Sequence, residues 1–161
     1  MPVRDDGDIV RAIGYLAIYF TNLEDAVDEL IQSATASRTW AADPDIDKRN
    51  FRDRLRHIKR GFRDAFAARR PYEYMDYDQR MVAAVMSACK QAAKDRNAML
   101  HLPIFGDPHN RGRTFQRLRD GRQNLLRSSQ VYNLANRVSD LDAKVYGLRF
   151  VLMHILTKPD L

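Results

Sequence analysis

The sequence predicts an all-α fold, an antiparallel bundle of four to five helices with a basic hairpin-like or loop insertion between the last two long helices. Apolar residues recur at alternating steps of three and four in four long segments, which is the period of an amphipathic α-helix. Most connections between these segments are short, as they are between antiparallel neighbours in a bundle. A chain of 161 residues suits one well-buried domain and is short for two, so we expect a single domain over residues 1–161.

The first two apolar stripes predict helices over residues 8–34 and 48–70. Asp8 is a natural N-cap for the first helix. Pro71 ends the second helix, because proline cannot donate the backbone hydrogen bond that would continue it. The loop between them contains Trp40 and an Asp-Pro pair that breaks the helical pattern.

The third and fourth stripes predict helices over residues 77–101 and from Ser128 or Ser129 onward. Asp76 or Asp78 can cap the third helix, and Pro103 prevents it from continuing much further. The fourth stripe is the most regular in the chain and ends just before Pro159. We therefore expect the last two long helices to be separated by about 25 residues.

That insertion is rich in Gly, Pro and Arg. Asp120-Gly121 separates two short runs, residues 114–119 and 122–126, and Asp-Gly between such runs can form a tight hairpin turn. A loop of this length can equally be a mobile arm. The sequence leaves both structures open.

The positive charge is concentrated in two segments of a chain whose net charge is +6. Residues 48–70 contain ten Lys or Arg against two Asp, and a second basic stretch follows in the insertion. Such clustering is typical of a nucleic-acid surface, although a charge run is also common on a solvated helix face. If the basic surface binds RNA, we expect the contacts to come from Arg52, Arg56, Lys59, Arg63, Arg111, Arg113 and Arg117.

Nothing in the sequence predicts a membrane protein. No uninterrupted apolar run reaches the ~18 residues that a membrane span needs, and the acidic start is the wrong sign for a signal peptide. The lone Cys89 lies on an apolar stripe and is interpreted as core packing. We expect a cytoplasmic protein.

The third helix carries an unexpected charge near its end. Arg96 occupies a position on the apolar stripe where the pattern calls for Leu or Ile, and His101 follows at the helix end. Arginine suits phosphate as a planar fork of donors, and histidine can move protons near neutral pH. Together they suggest phosphodiester chemistry in which Asn97 orients the imidazole or the phosphate. On a regular helix Arg96 and His101 lie about 140° apart, so convergence requires a frayed or tightened last turn.

The other histidines do not suggest a metal site. His57, His109 and His154 are scattered and lack carboxylates at ligand spacing, so we expect neither a metal nor another cofactor. RNA supplies its own nucleophile in the 2′-hydroxyl. His109 is close enough in sequence to His101 to serve as an auxiliary residue, whereas His57 and His154 are interpreted as surface or packed side chains.

The residues Arg96-Asn97-x-x-x-His101 resemble the R-x4-6-H motif of the HEPN superfamily. Residues 14–16 (Gly-Tyr-Leu) and 23–24 (Leu-Glu) resemble a pattern of the first helix in HEPN-like proteins. The resemblance covers about six residues by motif and most of the chain by architecture. It implies a metal-independent endoribonuclease of toxin, defence or stress-response type, with Arg96, Asn97 and His101 as catalytic residues.

The resemblance also implies partners. HEPN ribonucleases use the motif from two protomers and leave a cyclic phosphate and a 5′-hydroxyl, so it implies a homodimer acting on single-stranded RNA, with an antitoxin or another regulatory protein as a further partner. A twofold axis would also supply the second histidine that acid–base cleavage needs.

Two non-catalytic interpretations remain open. Some HEPN proteins are inactive scaffolds or partners of nucleotidyltransferases, and fold resemblance does not exclude this role. Alternatively, Arg96 caps its own helix or pairs with Glu24 or Asp28 of the first helix, while His101 simply closes the helix end.

Overall fold

The computed structural model describes residues 7–107 and 110–158 and is mostly helical. The elements in chain order are α1 (Ile9–Ala36), α2 (Phe51–Ala67), α3 (Met75–Leu100), β1 (Ile104–Asp107), β2 (Asn110–Arg117), β3 (Gln123–Leu126) and α4 (Ser128–Leu156), with a short 3-10 turn at Ile46–Lys48. The four stripes therefore form four long helices, as predicted. The predicted fold class is thus confirmed as mostly helical, but the fold is not all-α, because the insertion folds as a three-stranded sheet.

The helices begin and end close to the expected residues for identifiable reasons. The Asp8 carboxylate accepts hydrogen bonds from the backbone N–H groups of Val10 and Arg11, at 2.9 and 3.1 Å, and so caps α1 as predicted. Asn50 caps α2 by accepting from the Asp53 N–H at 3.0 Å. Cys89 is fully buried, as expected, and burial raises the pKa of its thiol to about 12.

The directions of the helices differ from the predicted antiparallel order. The rings of Tyr15 and Tyr132 lie 6.2 Å apart, and Arg149 donates to Glu29 at 2.6 Å, so α1 and α4 run parallel. The α1–α4 contact is the most extensive between two elements. Because α1 follows the same direction as α4, the bundle is not a simple up-and-down arrangement.

The connection between α1 and α2 explains this difference. Phe20 packs on Phe51, with ring centroids 5.2 Å apart, and Arg54 donates to Asp28 at 2.6 Å, so α2 also runs in the direction of α1. Residues 37–50 cross back over the length of α2, and Trp40 on this crossover packs against Phe62 with ring centroids 5.1 Å apart. A crossover of this length permits parallel neighbours, which a short turn does not. Only α3 runs opposite to the other three helices.

The insertion is a meander in which β1 pairs with β2 and β2 pairs with β3, both antiparallel. Leu118 N–H donates to the Arg122 carbonyl at 2.8 Å, and Gly121 sits at φ +84°, a conformation that favours glycine. Of the two structures that the sequence left open, the chain forms the hairpin around Asp120-Gly121. β1 was not predicted, because its four residues are too few to show alternation.

Within residues 7–107 and 110–158, no helix is both long enough and apolar enough to cross a membrane.

Candidate functional site

Arg96 lies in the last turns of α3 and reaches the contact between α1 and α3. Its guanidinium carbon is 4.6 Å from the ring centroid of Phe20, a buried residue of α1, which is a cation–π geometry. Nη1 donates to Asn97 Oδ1 at 3.2 Å, whereas the buried Nε has no hydrogen-bond partner among the described residues. A charged group is therefore held against an aromatic ring with one buried donor unused, a cost that the Nε atoms of Arg54 and Arg149 share.

The carboxylates nearest in the fold are engaged elsewhere. Glu24 and Asp28 contact Arg54 of α2, at 3.8 and 2.6 Å, so the interpretation that either of them pairs with Arg96 is wrong. Asp95, the residue before Arg96, accepts from Arg137 at 3.2 Å. Within the described part of the chain, Arg96 has no carboxylate at salt-bridge distance. Its charge remains available for an anion.

His101 is the C-cap of α3 and is exposed. Its backbone lies at φ −93° and ψ −2°, and its N–H donates to the Asn97 carbonyl at 3.1 Å, so the helical path continues up to it. The expectation that a frayed or tightened last turn brings His101 round to Arg96 is therefore wrong. Arg96 and His101 stay about 140° apart around the helix axis, and Asn97 lies on the His101 side.

Asn97 links the two faces of the helix end. It is exposed, accepts from Arg96, and precedes His101 by one helical turn. The structure thus joins Arg96 to Asn97 directly, while no hydrogen bond or ring contact joins either of them to the His101 side chain among the described residues. A single copy presents one inward-facing cation and one outward-facing imidazole.

Gln116 of β2 fixes the end of α3, and sequence reasoning missed it. Its side-chain amide donates to the carbonyls of Ala98 and Met99, at 2.9 and 2.7 Å, and the residue is only 8% exposed. The last carbonyls of a helix have no partner within the helix, so this amide satisfies two of them. The sequence gives no indication of this role, because the hydrogen bonds between Gln116 and α3 depend on how the sheet packs against the end of the helix. It holds the turn that bears Asn97 and His101.

The basic residues of α2 lie on its outer face. Arg52, Arg56, Lys59 and Arg63 are all exposed, as an RNA-binding surface requires. Asp53 pairs with Arg56, and Asp64 pairs with Arg63 at 2.8 Å, so part of this charge is compensated locally.

This basic surface begins beside Arg96. Phe20 contacts both the Arg96 guanidinium and the ring of Phe51, the first residue of α2. The outer face of α2 therefore leads away from the candidate site along the helix.

The predicted residues of the insertion are only partly described. Arg113 and Arg117 are exposed on β2, and the Arg117 guanidinium lies 5.6 Å from the ring centroid of Phe105. Arg111 belongs to β2, but its side chain lies outside the described residues, as does all of His109.

A second polar cluster occupies the opposite end of α3. The buried Asp78 accepts from the Tyr72 hydroxyl at 2.8 Å and lies 3.0 Å from Nδ1 of His154. Burial, reinforced by the hydrogen bond to Asp78, raises the pKa of Tyr72. These contacts tie the start of α3 to the end of α4, about 35 Å from His101 along the helix. His154 is exposed apart from this contact with Asp78, in agreement with the surface or packed histidine that the sequence suggested.

His57 is a partly buried residue that packs against its neighbours. It lies against Trp40 with ring centroids 6.2 Å apart, and burial lowers the pKa of its imidazole despite the nearby Asp43. No group of three His, Cys, Asp or Glu side chains placed to hold a metal ion occurs in residues 7–107 or 110–158.

No protein-family model, curated protein or solved structure matches this chain. The HEPN resemblance therefore depends on the sequence patterns described above, and function has to be argued from the geometry of the site.

Proposed function

We propose that this chain is a metal-independent endoribonuclease that cleaves single-stranded RNA with Arg96, Asn97 and His101. The observation that carries the proposal is the state of Arg96. Its guanidinium is held on Phe20 without a carboxylate partner among the described residues, and it is hydrogen-bonded to the exposed amide of Asn97, which precedes the exposed His101 by one helical turn. A preorganised, uncompensated cation stabilises charge that develops on a phosphate in the transition state.

The reaction assigns one role to each residue. A histidine takes the proton from the RNA 2′-hydroxyl, whose oxygen then attacks the adjacent phosphorus. The bond from phosphorus to the 5′-oxygen breaks, and a protonated histidine donates a proton to that oxygen. The products are a 2′,3′-cyclic phosphate and a 5′-hydroxyl. Arg96 binds the non-bridging oxygens during this step, and Asn97 orients the guanidinium to which it is bonded.

The proposed site contains two copies of the chain. Acid–base cleavage needs two proton carriers, and each copy supplies one exposed histidine at the end of α3. Because Arg96 and His101 diverge around the regular helix end, His101 of one copy is proposed to face Arg96 of the other across a twofold axis.

The RNA is proposed to follow the basic surface that starts beside the site. Arg113 and Arg117 on the sheet and the cations on the outer face of α2 would contact its phosphates, and their exposure supports this role. DNA lacks the 2′-hydroxyl and would not be cleaved.

A non-catalytic HEPN-like interaction module is the second candidate function, and one observation favours it. In a single copy Arg96 already makes two contacts, with Phe20 and with Asn97, and these could be structural. In this case His101 would bind a partner protein and no RNA would be cut.

RNA cleavage in the presence of EDTA tests the proposal. We expect the purified protein to cut single-stranded RNA with chelator present, and His101→Ala to lower the rate by about 10²- to 10⁴-fold, the usual contribution of a general acid–base group. Gel analysis of a labelled oligonucleotide, with end-group assignment, measures both the rate and the cyclic phosphate.

Lys94→Ala is the matched control, because Lys94 is exposed on the same helix and lies outside the proposed site. Its rate should equal that of the wild type, and both variants should retain the melting temperature. Cleavage that stops in chelator and returns with magnesium would contradict the proposal, and so would full activity of the His101 variant.

A further inference from the structure

A groove between α2 and α3, hereafter the α2–α3 groove, is open at the surface. One part of about 410 Å³ has Phe62, Phe66 and Val82 among its lining residues. An adjoining part of about 250 Å³ is lined in its turn by Leu55 and Met86. All five are buried residues, and they form the floor of the groove. Lys59 and Ala83 line both parts, so the two adjoin along α2 and α3.

The walls of the groove are cationic. Arg52, Arg56, Lys59, Arg63 and Lys90 line one part or the other, and neither part is lined by Asp or Glu. Arg56 and Arg63 have carboxylate partners on α2, whereas Arg52, Lys59 and Lys90 have none among the described residues. An occupant that brings carboxylates to both walls would gain favourable electrostatic contacts.

The floor fits aliphatic side chains better than nucleic-acid bases. Phe62 and Phe66 are 1% and 6% exposed, so almost no ring surface is available on which a base could stack. Ala67 and Ala83 are small and exposed, which leaves room for inserted side chains. The groove follows α2 for roughly 22 Å, the length of about four helical turns.

We propose that the α2–α3 groove binds an amphipathic helix of a partner protein, with aliphatic residues on the buried face and carboxylates on both flanks. This is the helix-in-groove mode of recognition, in which the apolar face supplies affinity and the flanking charges supply orientation. Binding does not depend on the ribonuclease activity proposed above. One consequence does rest on that proposal: a bound acidic helix would cover the α2 cations and compete with RNA for them.

The probe for this site is a synthetic helix of about 16 residues with Leu at steps of three and four and Glu on both flanks. A scrambled peptide of the same composition separates amphipathic docking from charge attraction. Binding is measured by fluorescence anisotropy on full-length wild type, on Ala83→Trp, which fills the groove, and on Ala84→Trp. Ala84 is the matched control because it is exposed on the same helix and is not among the groove's lining residues.

We expect micromolar binding of the amphipathic peptide, a loss of about tenfold or more for the scrambled peptide and for Ala83→Trp, and no change for Ala84→Trp. Equal binding of both peptides, or no binding below about 100 μM, would overturn the proposal. Melting temperatures of both variants show whether a loss reflects the groove or the fold.

Two further outcomes would assign the groove to another occupant and overturn the proposal. If Ala83→Trp weakens binding of a single-stranded RNA oligonucleotide as strongly as it weakens peptide binding, the groove holds RNA. If the wild type sediments as a dimer and the Ala83→Trp variant sediments as a monomer, the groove holds a second copy. Peptide binding by the inactive His101→Ala variant separates this test from the ribonuclease test, because it requires no cleavage.

Discussion

The Arg96 side chain makes two contributions to the free energy of folding that are similar in size and opposite in sign. Its cation–π contact with Phe20 stabilises the fold by about 0.5–1 kcal/mol, or more where the cation is desolvated. Its buried Nε, which lacks a partner among the described residues, costs about 1–3 kcal/mol. The net contribution of the charge to folding is therefore near zero or unfavourable. An arginine at such a position is better explained by an anion than by packing.

Arg96→Met tests this balance. Methionine keeps most of the length and packs on Phe20 without the unused donor, so we expect the free energy of unfolding to stay within about 1 kcal/mol of wild type or to rise. RNA cleavage should fall by at least 10²-fold, as it does when one stabiliser of transition-state charge is removed. Urea unfolding and the cleavage assay measure the two effects.

Arg54→Met is the comparison for that experiment. Arg54 meets Glu24 and Asp28, both about one-third exposed, so its removal should lower stability by about 1–2 kcal/mol. If Arg96→Met proves as destabilising as Arg54→Met, Arg96 is a structural residue and the catalytic assignment loses its main support.

Among the elements, the sheet is what fixes the end of α3. Replacing Gln116 with Leu leaves the carbonyls of Ala98 and Met99 without their side-chain donor, and we expect a loss of about 1–3 kcal/mol in unfolding free energy. Because the same turn bears His101, cleavage should fall while the protein is still folded. Gln123→Leu on β3 is the control, since Gln123 is exposed and should change stability by less than about 0.5 kcal/mol. Equal stability and activity of both variants would refute this role of the sheet.

The crossover between α1 and α2 depends on another close contact. A Cβ at Gly61 would overlap the indole ring of Trp40, so Gly61→Ala should destabilise the protein by about 1–3 kcal/mol through overpacking. Gly14→Ala is the control, because nothing lies within 4 Å of a Cβ there, and alanine inside a helix should stabilise by about 0.5–1 kcal/mol. Thermal unfolding of the two variants measures opposite shifts, and a neutral Gly61→Ala would contradict the packing of the crossover.

These elements show what the sequence could and could not predict. Long periodic stripes predicted four helices, because burial imposes a period that the local sequence reveals. Asp120-Gly121 indicated a hairpin as one of two possibilities, because glycine readily adopts the positive φ that such a turn requires. The parallel direction of α1 and α4 was missed, since it follows from the path of the crossover rather than from any local pattern.

In the candidate site, Arg96 could be identified from the sequence because its charge interrupts the apolar stripe of α3. Sequence reasoning missed two features that depend on tertiary packing and leave no sequence signal. They are the contacts of Glu24 and Asp28 with Arg54, and the hydrogen bonds by which Gln116 fixes the end of α3.

At the scale of the whole molecule, the proposed activity requires two copies. One copy presents Arg96 toward α1 and His101 toward solvent, on different sides of a regular helix end. The resemblance to HEPN proteins and the need for two proton carriers both favour a site shared across a twofold axis.

The measurement that tests this claim most directly is RNA cleavage by mixed variants. Arg96→Ala and His101→Ala homodimers each lack one residue type completely, whereas a mixed dimer retains one arginine and one histidine on opposite copies. We expect both parents to be inactive and the mixture, after subunit exchange, to recover partial cleavage above either parent, with water replacing the second proton carrier that the mixed dimer lacks. A mixture no more active than its parents, or a strict monomer by light scattering that cleaves RNA at the full rate, would contradict the shared site.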